Sequence, residues 1–217
     1  MIDPETLLLM GQSQFAPARE ASAPLGTVTE GHLAFTAGAA HLAVDGPAPP
    51  GVLFEARFGG PVADVRVANG HVGIGYRTHG RPATRADYDG RIRLSAEVPW
   101  TIACHYGAVR LRLDLSAVVL AGLRVEGGMS QVDITLPPPH GVVPVVLCGG
   151  VHRLTLRRPA DVPIRLRLRG GAAHLAFERQ RLGAVGGDTE LVSSGFDPAA
   201  AGYDVSVTGG ASQLAVE

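Results

Sequence analysis

The feature that most constrains this chain is a repeat. Residues 96–114, AEVPWTIACHYGAVRLRLD, return in altered form as residues 160–178, ADVPIRLRLRGGAAHLAFE. Between them the same template occurs twice more. With one corner glycine of each unit as origin, the units centre on Gly107, Gly128, Gly150 and Gly171, at intervals of 21, 22 and 21 residues. Further copies centre on Gly38 and Gly210, and a looser one on Gly70. Large apolar residues stand five and three positions before the glycine, as Ile102/Cys104 and Leu166/Leu168 do. Others stand four and six positions after it, as Leu111/Leu113 and Leu175/Phe177 do. Period-two alternation marks strands with one buried face.

Twenty-one residues of extended chain cannot bury an alternating face alone, whereas stacked units can, at about 4.8 Å per level. Prolines in AEVP (96–99), PPPHGVVP (137–144) and RRPADVP (157–163) belong at corners, because proline lacks the ladder N–H. A β-sandwich also uses short alternating strands. It has no reason to repeat a fixed template, so the expectation is all-β: a β-solenoid (β-helix) of about 21–22-residue rungs. Trp100 falls in the inward slot that Ile164 and Tyr203 occupy elsewhere and reads as core.

Residues 1–26 read as a cap and connector. DPETLLLMG carries an N-cap aspartate, a first-turn proline and a stopping glycine, which predicts a short helix. Its Leu7, Leu8, Leu9 and Met10 would cover the first rung or dock on a partner. Residues 27–217 read as one solenoid domain, irregular near 46–63, 77–95 and 180–200. QLAVE closes the chain within a strand, which would leave a last rung open to a second copy.

Chemistry-bearing residues are sparse. The formal net charge is −1 and aromatic residues make up 5%, which argues against nucleic-acid binding. All 19 basic residues are arginine. Eleven of them lie in 107–181, against five acids. Arg165, Arg167 and Arg169 alternate along one strand, with Arg153, Arg157 and Arg158 before it and His174 after it. These seven residues form the candidate interaction surface, suited to an acidic protein or a polyanion. The third residue after each glycine is polar and reads as an outward row: His41, Arg110, Gln131, Arg153, His174 and Gln213.

The eight histidines form no HExxH or His/Cys cluster, so no metal or other cofactor is expected. His105 adjoins Cys104, but neighbours on a strand face opposite sides. No serine sits in a nucleophile elbow, and the GG pairs join strands rather than open helices. Asp87 and Asp89 form a close acidic pair, in a loop. The expectation is a chain that is not an enzyme and takes no small-molecule substrate. No apolar stretch reaches membrane-spanning length, and no signal segment is legible, which predicts a cytoplasmic protein.

The recurring L-x-V-x-GG-x-x-x-L-x-L resembles the bacterial β-strand-repeat, adhesin-like solenoids of unknown function, of the actinobacterial type. The resemblance covers residues 31–217. It implies a right-handed β-solenoid and brings no catalytic motif. Bactofilin-like cytoskeletal solenoids are a second comparison, matching less closely in rung length and in the proline corners. The function expected is a scaffold or binding solenoid for a protein partner. Self-assembly into oligomers or filaments is one alternative; a carbohydrate-binding or carbohydrate-active β-helix is another.

Overall fold

The computed structural model describes residues 16–37, 39–59, 62–76 and 89–217. The expected N-terminal helix with Leu7–Met10, the corner glycine Gly38 and the loop around Asp87 lie outside the described residues. Within them the chain is all-β, in two mixed sheets without helices and without barrel closure.

Its first half supplies β1 (Ala16–Ala18), β2 (Glu20–Pro24), β3 (Gly31–Phe35), β4 (Ala39–Ala40), β5 (Leu42–Pro47), β6 (Val52–Phe58), β7 (Ala63–Ala68), β8 (His71–Tyr76) and β9 (Gly90–Leu94). Then come the regular pairs: β10 (Pro99–Cys104) with β11 (Ala108–Asp114), β12 (Val119–Glu126) with β13 (Met129–Thr135), and β14 (Val142–Cys148) with β15 (Val151–Arg157). They are followed by β16 (Ile164–Leu168) with β17 (Ala172–Phe177), β18 (Gln180–Val185), β19 (Thr189–Val192), and finally β20 (Gly202–Val207) with β21 (Ala211–Val216).

The first strand of each regular pair joins one sheet and the second joins the other, with parallel neighbours throughout. Equivalent positions stand over one another. Leu111, Val132, Leu154, Leu214 and Leu175 form one inward column, and Leu113, Ile134, Leu156, Val216 and Phe177 the next. All ten are buried, each contributing about 1.5–3 kcal/mol relative to exposure. Trp100 is buried as expected. Its indole N–H donates to the Ser95 carbonyl at 2.9 Å, and its ring lies where a Cβ on Gly31 would be 2.6 Å away.

Spatial order departs from sequence order at one place. The pair β20–β21 is inserted between β14–β15 and β16–β17. The three regular intervals therefore do not give three consecutive levels, and the last strand is interior. The expectation of an open rung at QLAVE is corrected: β21 has β15 on one side and β17 on the other. The unit around Gly70 is corrected too. Asn69 (φ 47°) and Gly70 (φ 80°) turn an antiparallel β7–β8 hairpin within one sheet, the geometry that an Asn-Gly pair favours. Antiparallel strands close the far end as well, β18 against β17 and β19 against β16.

The outward row also has a backbone cause. His41, Arg110, Gln131, Arg153, His174 and Gln213 all have φ between 52° and 57°. Pairing runs from Val109↔Ser130 to Leu111↔Val132 and skips the residue between. One left-handed residue shifts the alternation by one, so Ala108 and Leu111 both face inward although three positions separate them.

In native-state hydrogen exchange, β20 and β21 amides are expected to be protected as strongly as those of β13 and β15, and more than those of β18 and β19. Fast exchange across β21 would contradict its placement between two neighbours.

Candidate functional site

Where each first-sheet strand turns into its second-sheet partner, backbone lies directly on backbone. A Cβ on Gly127 would come within 2.8 Å of the Gly107 nitrogen, and one on Gly149 within 2.3 Å of the Gly127 oxygen. On Gly209 it would meet the Gly149 oxygen at 2.1 Å, and on Gly170 the Gly209 carbonyl carbon at 2.4 Å. No residue but glycine fits this column. The second glycine of three pairs is different. A Cβ on Gly128 meets nothing within 4 Å, one on Gly150 only the Gly210 oxygen at 4.0 Å, and one on Gly210 the Gly170 oxygen at 3.7 Å. None of these three has a positive φ.

Gly128, Gly150 and Gly210 form the floor of a groove of about 940 Å³ that runs across the strand pairs on the outside of the corner. One wall is the column Val109, Ser130, His152, Ser212 and Ala173, one residue per level. Tyr106 also lines it, 84% exposed and with φ 67°. Among the described residues the lining carries no carboxylate. Beside Tyr106, the His105 Nδ1 lies 2.9 Å from Glu126 Oε2, while Arg124 Nε donates to Glu126 Oε1 at 2.7 Å. The Arg124 hydrogen bond, followed by that of His105, holds the Glu126 carboxyl below the usual carboxylate range.

The arginines singled out from the sequence do not line this groove, and most are paired within the chain. Arg165 and Arg167 are half-buried on one strand, and both donate to Asp204, at 2.7 and 2.8 Å. Phe196 lies against the Arg165 guanidinium, 5.1 Å from ring centroid to Cζ. Burial pushes the Asp204 carboxyl up. The Arg165 hydrogen bond and the charges of Arg167 and Arg165 outweigh that and hold it below the usual range. Arg158 pairs with Glu178, and Arg157 with Asp133 and Glu217. Arg153 Nε donates to Gln213 at 2.9 Å, as Arg110 Nε does to Gln131 at 3.0 Å. Arg169 and His174 are exposed. The basic strip is thus largely a set of cross-strand pairs, and its anion-binding capacity is correspondingly reduced.

Tyr106 and the groove were missed from sequence. Their legible signal was the difference between the two glycines of each GG pair, which needs the neighbouring level to interpret. Among the described residues no group of three or more His, Cys, Asp or Glu gathers as a metal site. Cys104 and Cys148 are free thiols, and burial pushes the Cys104 thiol up to about 12.

Residues 13–157 match the sequence family described as the N-terminal domain of toast_rack, DUF2154. The fold is similar to a crystal structure described as a "putative cell adhesion protein" from Clostridium sporogenes, with a TM-score of 0.66. Identity is 16%, covering 91% of this chain and 98% of that one, so the likeness is one of fold. No curated protein matches the sequence.

Two outcomes follow from this geometry. Gly209→Ala is expected to cost about 2–4 kcal/mol in urea unfolding, and Gly150→Ala less than about 1 kcal/mol. Equal costs would mean the corner is looser than described. The depressed Asp204 carboxyl gives stability that is present above its unfolded value and lost as pH falls through the folded one. The stability gap between wild type and Asp204→Asn should therefore shrink from about pH 6 to about pH 2, crossing the carboxylate range. A pH-independent gap would remove the carboxylate from the account.

Proposed function

This chain belongs to the family of the N-terminal domain of toast_rack, DUF2154, and from its groove we propose a non-catalytic β-solenoid binding module. The parallel, in-register stacking of paired strands supports the solenoid reading. The observation that carries the binding reading is the second glycine of each pair. The stack does not need Gly128, Gly150 or Gly210, yet a side chain at any of them would fill the groove.

The ligand we propose is an extended segment of a protein partner. The groove crosses six stacked levels, about 24 Å, which holds roughly seven residues of extended chain. Its floor is backbone and its wall offers Ser130, His152 and Ser212, polar groups that suit a peptide main chain. The adhesion description of the Clostridium sporogenes protein agrees with a binding role. The unpaired thiols Cys104 and Cys148 support the cytoplasmic setting expected from sequence. Tyr106 favours one second reading, a glycan chain stacked on its exposed ring.

Gly150→Leu and Tyr106→Ala separate these readings on immobilised peptide and glycan libraries. On the peptide reading, Gly150→Leu abolishes capture of peptides and Tyr106→Ala weakens it about tenfold, near 1.4 kcal/mol. Capture of glycans alone favours the second reading. Unchanged capture by Gly150→Leu, with its fold intact by circular dichroism, removes the groove from both.

A further inference from the structure

The stack has two ends, and their edges are not where the C-terminal strand stands. In the sheet that contains β21, the edge strands are β18 and β2. Among the described residues neither has a further strand on its outer side, which leaves backbone N–H and C=O groups there open to pairing. Beneath them the core is incomplete. Ala21, Ala23, Leu25 and Val28 at one end, and Leu182, Val185 and Leu191 at the other, pack on the core but are only partly buried. The inward side chains of the strands between are buried.

The two edges fit each other in direction. β18 runs antiparallel to β17, hence against the regular strands. β2 is antiparallel to β6, which is antiparallel to β9, which is parallel to β5, so β2 runs with them. Setting β2 of one molecule on β18 of the next makes an antiparallel pair. They also fit in register. One outward column passes from Glu20 through Arg57, Arg91, Ala43, Arg112 and Asp133, then Thr155, Ala215 and Ala176, to Arg181. Straight stacking therefore brings the exposed carboxylate of Glu20 beside the exposed guanidinium of Arg181. This column already pairs opposite charges within the chain, Arg57 with Glu20 at 3.5 Å. Joining two like ends would leave Glu20 and Arg181 without this cross-molecule pairing.

We propose that the end faces bind one another, so that copies of this chain associate head to tail, β2 on β18, with Glu20 against Arg181. Such a contact uses two different surfaces and, without rotational closure, propagates. It buries the half-covered apolar residues of both ends and pairs both edges. Glu20 and Arg181 take no part in the groove lining, whose member Val185 lies on β18, so the groove runs up to this end face.

Sedimentation velocity of the full chain across concentration tests this. Wild type is expected to form a ladder of species that grows with concentration and recedes at high salt, as exposed charge pairs are screened. Arg181→Glu and Glu20→Arg should each weaken association about tenfold or more, and Glu20→Arg/Arg181→Glu should restore it. Circular dichroism confirms that every variant is folded. A wild type that stays monomeric up to high concentration overturns the proposal. So do single variants that associate like wild type, or a double variant that fails to recover.

Discussion

Backbone packed on backbone at the corner is the contact on which the rest of this molecule depends. Gly107, Gly127, Gly149, Gly209 and Gly170 let successive levels meet without an intervening Cβ. That closeness keeps the ladders of both sheets in register, and register is what aligns leucine over leucine in the core. A side chain in the column would separate the levels and cost hydrogen bonds and apolar contact together. The left-handed residues three positions beyond the corner complete the geometry. They shift the alternation once, so a small inward residue at the bend and a large one beyond it share one core.

The same stacking explains how the charges are used. Outward positions of neighbouring levels lie about one strand spacing apart, within reach of arginine and carboxylate side chains. Asp204, on the inserted pair β20–β21, receives both Arg165 and Arg167 because that pair is seated beside β16. A strip that is basic along one strand becomes nearly neutral across strands. Among the described residues, what the stack leaves unsatisfied is concentrated in two places: the groove on the outside of the corner, and the two ends where pairing stops.

These places differ in kind. The groove is built from positions that tolerate a side chain and lack one, with an exposed tyrosine at its border. The ends are built from ordinary edge strands over an unfinished core. One suits a ligand that lies along the stack, the other a partner that continues it. A chain with both can present the same groove many times over in a row.

Sequence alone determined the repeating unit. Period-two alternation marked the inward faces, glycine and proline marked the corners, and the placement of Trp100, Ile164 and Tyr203 in the core was legible because apolarity and spacing are local properties. The separation of Ala108 from Leu111 even carried the parity shift of the left-handed residue. Tertiary structure decided everything that depends on which level neighbours which. The unit at Gly210 has the same template as its fellows, so nothing local says that it enters between two earlier units rather than after them. That insertion seats Asp204 between two arginines and makes the last strand interior. The Gly70 unit likewise matched in pattern and became a hairpin, because Asn69-Gly70 favours a tight reversal within one sheet. The groove and the ends follow from the stacking order, and that order is fixed by contacts between residues far apart in the chain.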